Sequence, residues 1–266
     1  MQRLNWKRMA VVVGAVCVVG GAAHGDALAA IVTGTDVEDV GLAPDQIRIS
    51  LDKIGVYSVL RTPDSPGAYS DAPQRCEFDA HTQQRVCSDR RTPGDNSSAT
   101  AISLRSRTGV AQASFDPATT DTVIVRTGVV SRDGSPNIGH ADARTFHGTR
   151  RYAGVSAASA ARVLDGADTT YRTFEYSNGR VVRNTTYITY SNVTMARATR
   201  GKTVYPSAGV VHAVSESKAN ADTARVMQGL NIIVYFDGTR TPEAYIRGHR
   251  YTIDLATGIA TPKVAD

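Results

Sequence analysis

The sequence predicts an all-β fold: a mainly antiparallel sheet, arranged as a meander, a sandwich or a partly closed barrel, with few short helices. Short segments rich in Val, Ile, Thr and Tyr recur along the chain, and Gly, Asn, Asp and Pro separate them. Segments with helical periodicity are scarce. The composition, 41% apolar and 21% charged, is typical of a folded protein.

The first 29 residues are predicted to be a secretory signal peptide. Arg3, Lys7 and Arg8 precede an apolar stretch over 9–19, and the segment ends with Ala-Leu-Ala at 27–29. The apolar stretch is too short for a membrane-spanning helix of about 20 residues. We therefore expect export to the periplasm, the cell surface or the extracellular space, with no transmembrane helix after signal removal. Residues 30–266 are expected to form a single β-rich domain.

Residues 30–266 contain two cysteines, Cys76 and Cys87. In an oxidising compartment an isolated pair is expected to form a disulfide, worth about 3 kcal/mol for a loop of this length. The residues between them fit a small hairpin joined at its open end. A reactive redox pair is disfavoured, because the spacing is far from Cys-x-x-Cys. The surrounding segment 62–100 is rich in Pro, Gly, Ser and Asp, and it is predicted to be an irregular surface excursion.

Strands follow from alternating or β-rich segments, and turns from the residues between them. In chain order, strands are predicted at 47–51, 101–107, 110–115, 122–130, 171–176, 180–193, 203–214, 229–236 and 244–255. Asp237-Gly238 and Thr257-Gly258 are predicted turns. Helical patterns occur only at 156–164 and 218–227, and these also fit turns or strand ends.

Three of these segments carry more specific expectations. Asn178-Gly179 between two β-rich segments predicts a hairpin, because a type I′ turn needs positive φ at both central positions. The segment 180–190 is partly polar on both faces and is predicted to extend past the core. The segment 230–236 is nearly all apolar and is predicted to be a central strand covered on both faces. The polar segment 131–139 is the candidate for an internal domain boundary.

The motifs of several common enzyme classes are absent. The chain contains no G-x-S-x-G, no H-E-x-x-H and no P-loop string. A secreted hydrolase of polysaccharide or ester bonds remains an alternative, with Asp165, Asp168, Glu175 and Asp237 as candidate acids, but the sequence does not place two of them together. No catalytic residue is assigned, no cofactor is expected, and the question of enzyme activity stays open with a non-catalytic role favoured.

His140, Asp142 and His147 come nearest to a set of metal ligands. On a strand, the odd offset of His147 turns it to the opposite face from the other two. No metal site is therefore predicted.

The second half of the chain mixes arginine with tyrosine, and this mixture supplies the candidate binding residues, which are Arg172, Tyr176, Arg183, Tyr187 and Tyr190. Arg and Tyr on an exposed sheet face can stack on sugars or bind acidic polymers. The same residue types also fill the solvent face of many sheets for reasons of strand propensity alone. The expected partner is a polysaccharide, an envelope component or another protein.

Charge and composition narrow the function further. The 30 Lys and Arg residues against 25 Asp and Glu are spread along the chain, which argues against nucleic acid as a partner. An outer-membrane β-barrel is disfavoured, since aromatic residues are 6% of the chain and the last residue is Asp266. The favoured hypothesis is an exported envelope or extracellular protein with a non-catalytic binding or structural role.

Overall fold

The structure of the protein is a computed structural model. It describes residues 37–38, 46–51, 56, 76–92, 96–133, 140–177, 179–197, 203–219 and 230–263. The predicted signal segment 1–29 lies outside the described residues, as do Asn178 of the predicted turn, most of the boundary segment 131–139 and most of the candidate helix 218–227.

The described residues form fifteen strands. They are β1 (Val37–Glu38), β2 (Ile47–Ile49), β3 (Cys76–Asp79), β4 (Gln84–Thr92), β5 (Asn96–Ser106), β6 (Ala111–Gln112), β7 (Thr120–Asp133), β8 (His140–Ala153), β9 (Ala161–Tyr176), β10 (Val181–Ala196), β11 (Ala208–Ala219), β12 (Leu230–Tyr235), β13 (Glu243–Ile246), β14 (His249–Ile253) and β15 (Ile259–Pro262).

All fifteen strands belong to one antiparallel sheet, so the predicted all-β antiparallel fold is confirmed. The strand order is β1-β2-β15-β14-β13-β12-β11-β10-β9-β8-β7-β5-β4-β3, and β6 pairs with β5 outside this path. From β7 to β15 each strand pairs with the next one along the chain, which is a meander. β1 and β3 are the two end strands of this order. No pairing among the described strands joins them, so the sheet is not closed.

The hydrophobic core lies on one face of this sheet, which we call the inner face; the opposite face is the outer face. Val123, Tyr152, Leu164, Tyr190 and Val211 mark the inner face on β7 to β11, and each is at most 6% exposed. Across neighbouring strands, Val123 pairs with Tyr152, Tyr152 pairs with Leu164, and Tyr190 pairs with Val211. Apolar residues from the C-terminal strands and from β2 complete the same cluster.

The longest strands continue well beyond the core. We call this part the distal sheet: residues 128–133 of β7, 140–147 of β8, 169–176 of β9, 181–187 of β10 and 214–219 of β11. Among the apolar side chains of the distal sheet that the structure describes, Val182 alone is buried. At about 3.3 Å per residue, eight residues of β9 extend roughly 26 Å past the core. This agrees with the extension predicted from the polar pattern of 180–190.

The predicted disulfide is confirmed. Cys76 and Cys87 are directly opposite each other in the β3–β4 hairpin, and their sulfur atoms are bonded. The prediction of an irregular excursion over 62–100 is wrong for its described part, because 76–79, 84–92 and 96–100 are strands. The first half of β5 is rich in Ser and Thr, and its backbone hydrogen bonds to β4 and β7 on both sides hold it extended.

Three strand predictions need correction. The segment 244–255 is two strands, because Arg247 and Gly248 have φ of 51° and 82° and form a two-residue turn between them. The segment 110–115 forms only the two residues of β6. β12 is not covered on both faces, since its residues alternate between buried and exposed.

The remaining helical pattern, at 156–164, is a turn followed by a strand. The amide of Ser159 donates to the carbonyl of Ser156 at 3.1 Å, and β9 begins at Ala161. Within the described residues, no helix has both the length and the apolar character that crossing a membrane requires. The candidate boundary 131–139 includes the last three residues of β7 and ends before β8, and these two strands pair with each other as far as Asp133 and Asp142.

The β9–β10 hairpin exists as predicted, but its loop differs by one residue. The amide of Tyr176 donates to the carbonyl of Arg180 at 2.8 Å, and the amide of Gly179 donates to the carbonyl of Tyr176 at 2.9 Å. The loop is therefore three residues long, with Gly179 at φ of 78°. A three-residue loop differs from the two-residue type I′ turn that the sequence predicted, so that prediction is wrong.

Candidate functional site

The structure does not bring the five candidate binding residues together. Arg172 lies opposite Asn184 in the β9–β10 ladder, so Arg172 and its strand neighbour Tyr176 are on the inner face. Tyr190 is on the inner face as well, and Arg183 and Tyr187 are on the outer face. The five residues therefore do not form one surface, and each has different neighbours.

Loop length decides this division. A two-residue Asn178-Gly179 turn would place the odd-numbered residues of β10 opposite the even-numbered residues of β9, with Arg172 and Arg183 on one face. The three-residue loop shifts the register by one, and a shift of one residue moves every side chain to the other face.

Arg172 is held on the inner face of the distal sheet by a neighbouring carboxylate. Its Nε–H group donates to both oxygens of Asp142, at 2.9 and 3.0 Å, and an Nη–H group also donates to Oδ2. The guanidinium lies 4.4 Å from the centre of the Phe174 ring. The Arg172 side chain is 39% exposed, so this pair faces solvent.

A second arginine lies directly opposite the first. Arg144 of β8 is the cross-strand partner of Arg172, and Arg144 is exposed. Like charges directly opposite each other destabilise a sheet. Asp142 neutralises one of the two guanidinium groups. Among the described residues, no carboxylate pairs with Arg144.

A third arginine adds to this surface at the end of the distal sheet. The Arg180 guanidinium lies 5.8 Å from the centre of the Tyr176 ring, and Tyr176 is 41% exposed. We call the set formed by Arg144, Arg172, Arg180, Phe174 and Tyr176 the arginine face. Among the described side chains, Asp142 is the one carboxylate in the arginine face. Because the face contains three arginines, it carries a net positive charge next to two aromatic rings.

Tyr190 is part of a buried network instead of an exposed surface. It is 2% exposed, and its hydroxyl donates to Oδ2 of Asp168 at 2.8 Å. The Arg150 guanidinium lies 5.4 Å from the centre of the Tyr190 ring. Burial is the largest single influence on Arg150 and lowers its pKa, but the hydrogen bond to Asp168 and the electrostatic interactions with Tyr190, Asp168 and Tyr152 together outweigh burial, so the net pKa is raised. Tyr190 therefore supports the fold and offers no accessible surface.

The two outer-face candidates have different surroundings. Burial raises the pKa of Tyr187. Arg183 is exposed, on the opposite face of the distal sheet from Arg172. Neither residue contributes to the arginine face.

The four candidate acids of the hydrolase alternative lie in separate places. Asp165 is on the outer face, 3.5 Å from Arg151, and Asp168 is buried on the inner face. Glu175 is exposed at the other end of β9 from Asp165. Asp237 accepts hydrogen bonds from Thr239 in the turn after β12. A pair of facing carboxylates, as glycoside hydrolysis needs, is not formed by these four.

The considered metal ligands are divided as well. Asp142 faces Arg172, and His147 is opposite Thr169 on the outer face. The side chain of His140 is outside the described part. In the part of the chain that the structure describes, no three His, Cys, Asp or Glu side chains are grouped closely enough to hold a metal ion.

Four residues of this surface are absent from the candidate set that the sequence suggests: Phe174 and Arg180, which are close to Arg172 and Tyr176 in the chain, and Asp142 and Arg144, which are not. The latter two lie about 30 positions before Arg172 in the chain, and only the β8–β9 register brings them beside it. Comparisons with protein-family models, with curated proteins and with solved structures give no match.

Proposed function

We propose that the protein is an exported, non-catalytic binding protein and that its arginine face binds an anionic polysaccharide. Export rests on the predicted signal peptide. The binding role rests chiefly on one observation: Arg144 and Arg172 are directly opposite each other, and among the described residues Asp142 pairs with Arg172 while no carboxylate pairs with Arg144. A bound anion supplies the missing negative charge and relieves this repulsion.

The aromatic residues make a saccharide the favoured form of that anion. Phe174 and Tyr176 provide flat apolar surfaces, on which the C–H face of a sugar ring can stack. The guanidinium groups beside them can donate paired hydrogen bonds to a carboxylate or sulfate on the same polymer. Placement on strands that extend beyond the core leaves room for a long ligand.

The test compares one substitution on each face of the distal sheet. Arg144→Gln and Arg183→Gln remove the same charge from exposed arginines on opposite faces. Binding to polygalacturonate, with neutral dextran as a reference polymer, is measured at low and high salt. We expect Arg144→Gln to weaken polygalacturonate binding on the order of tenfold, as loss of a charged hydrogen bond does, and Arg183→Gln to leave it within twofold.

Two results would contradict the proposal. One is equal binding of polygalacturonate and dextran, which would exclude a role for charge. The other is an equal effect of the two substitutions, which would show that net charge alone, and not the arginine face, attracts the polymer.

A further inference from the structure

β12 is the most apolar strand of the sheet, yet its outer face is open. Leu230, Ile232 and Val234 are buried on the inner face. Asn231 and Tyr235, on the other side, are exposed, and Ile233 between them is half-buried. The exposed fraction of Tyr235 is 44%. Ile233 and Tyr235 are therefore neighbouring apolar side chains on a face that solvent reaches.

A cavity of about 190 Å³ lies on this face, between β12 and the β13–β14 turn. Its lining residues are Asn231, Ile233, Tyr235, Tyr245 and Gly248. The rings of Tyr235 and Tyr245 are 5.9 Å apart at 80°, an edge-to-face arrangement that fixes their relative orientation. All five residues are uncharged, so the cavity favours a neutral ligand.

The aromatic side of the cavity is held in place by its neighbours. A hydrogen bond between Tyr245 and Glu243 raises the pKa of the Tyr245 phenol. Arg250 in turn donates to Glu243 at 2.7 Å, and Lys263 donates to it at 3.4 Å. Two cations therefore neutralise the nearest carboxylate. The Tyr245 ring is positioned before any ligand arrives, which reduces the entropy lost on binding.

The polar side is oriented by a histidine. Nε2 of His212 is 2.8 Å from Oδ1 of Asn231. Because an amide oxygen can only accept, Nε2 must donate, and this fixes the direction of the amide. The two N–H groups of the Asn231 amide are then left to donate at the cavity, beside the apolar side chain of Ile233.

We propose that this cavity is a saccharide-binding site that takes one neutral sugar ring. A sugar ring has an apolar C–H face, which stacks on Tyr235, and hydroxyl oxygens, which accept from Asn231. The cavity is smaller than the roughly 300–1,000 Å³ of sites for drug-sized ligands, which favours a single ring. The site lies on the C-terminal strands and does not depend on the arginine face.

Saturation-transfer NMR and calorimetry with defined probes test the proposal. The probes are the methyl glycosides of glucose, galactose, mannose and N-acetylglucosamine, and the matching trisaccharides distinguish a single ring from part of a chain. We expect at least one methyl glycoside to bind, and we expect Tyr235→Ala and Asn231→Ala each to weaken its binding by tenfold or more. Equal affinity for the glycoside and its trisaccharide supports a one-ring site.

Phe78→Ala is the matched control, since Phe78 is an exposed aromatic residue of similar exposure, 40%, on a distant strand. It is expected to leave glycoside binding unchanged. The proposal is overturned if none of the probes binds, or if Tyr235→Ala binds as the wild type does with an unchanged melting temperature. The probes are uncharged, so this outcome is independent of binding to polygalacturonate.

Discussion

Arg150 and Asp168 form an ion pair between β8 and β9 at the boundary between the core and the distal sheet. Nη2 of Arg150 is 2.5 Å from Oδ2 of Asp168, whose side chain is 2% exposed. Nε of the same arginine is 3.1 and 3.2 Å from the two carboxylate oxygens. Tyr190 donates to Oδ2 as well. This network lies on the inner face where the polar strands begin to extend beyond the core.

Asp168→Asn is expected to destabilise the protein by about 3 kcal/mol, because it leaves the largely buried charge of Arg150, whose side chain is 24% exposed, without its partner. Urea denaturation measures the free energy of unfolding. Asp142→Asn is the control: its pair with Arg172 is 19% and 39% exposed, and we expect a loss of about 1 kcal/mol or less. Equal losses in the two variants would show that burial of the Arg150–Asp168 pair has no special importance.

Gly148→Ala is expected to destabilise the protein by about 2 kcal/mol through overpacking. A Cβ atom at Gly148 would lie 2.5 Å from Oδ1 of Asp168 and 2.9 Å from Cζ of Phe146. At Gly128, on the neighbouring strand, the nearest atom to such a Cβ is Nδ1 of His147 at 3.9 Å. Gly128→Ala should therefore be neutral or slightly stabilising in the same denaturation experiment. A larger loss of stability in Gly128→Ala than in Gly148→Ala would be incompatible with this packing around Asp168.

Gly179→Val is expected to destabilise the β9–β10 hairpin by about 1–2 kcal/mol, because Gly179 has φ of 78° and a β-branched residue is strained there. No atom lies within 4 Å of a Cβ at this position, so the cost comes from the backbone alone. Thermal melting measures it, and Gly179→Asn, which tolerates positive φ, is the control. An unchanged melting temperature for Gly179→Val would contradict the three-residue loop.

Stability is expected to fall between about pH 4.5 and pH 2 through Glu243 and Asp254. A hydrogen bond from Arg250 lowers the pKa of Glu243 from 4.5 to about 2, and one from Arg240 lowers the pKa of Asp254 from 3.8 to about 2. A carboxyl group with a lowered folded-state pKa stabilises the fold above its unfolded-state pKa, and protonation removes that contribution as the pH falls.

Melting temperatures measured at fixed ionic strength across this pH range test the expectation. Glu243→Gln should melt lower than the wild type at pH 7, and the difference should narrow towards pH 2. Glu77→Gln, at an exposed carboxylate that has no ion pair among the described residues, is the control. A difference for Glu243→Gln that stays constant with pH would rule out this linkage.

Much of the strand pattern could be predicted from local sequence, because β-branched and aromatic residues favour strands and Gly or Asn marks the turns between them. The turn at Gly258 and the Cys76–Cys87 hairpin follow from such signals. The turn at Arg247 does not, because arginine is rarely found at positive φ. The first half of β5 was missed for a similar reason, since its Ser and Thr side chains resemble a loop and only its two neighbours hold it in the sheet.

The sequence by itself determined the fold class, the disulfide and the residue types of the candidate surface. Tertiary structure decided which of those residues share a face. Arg172 and Arg183 are separated because the β9–β10 loop has three residues, and Arg172 meets Arg144 because of the β8–β9 register. Strand propensity acts on each residue and its neighbours, whereas a face is set by pairing between distant segments, where one residue of register exchanges the two sides of the sheet.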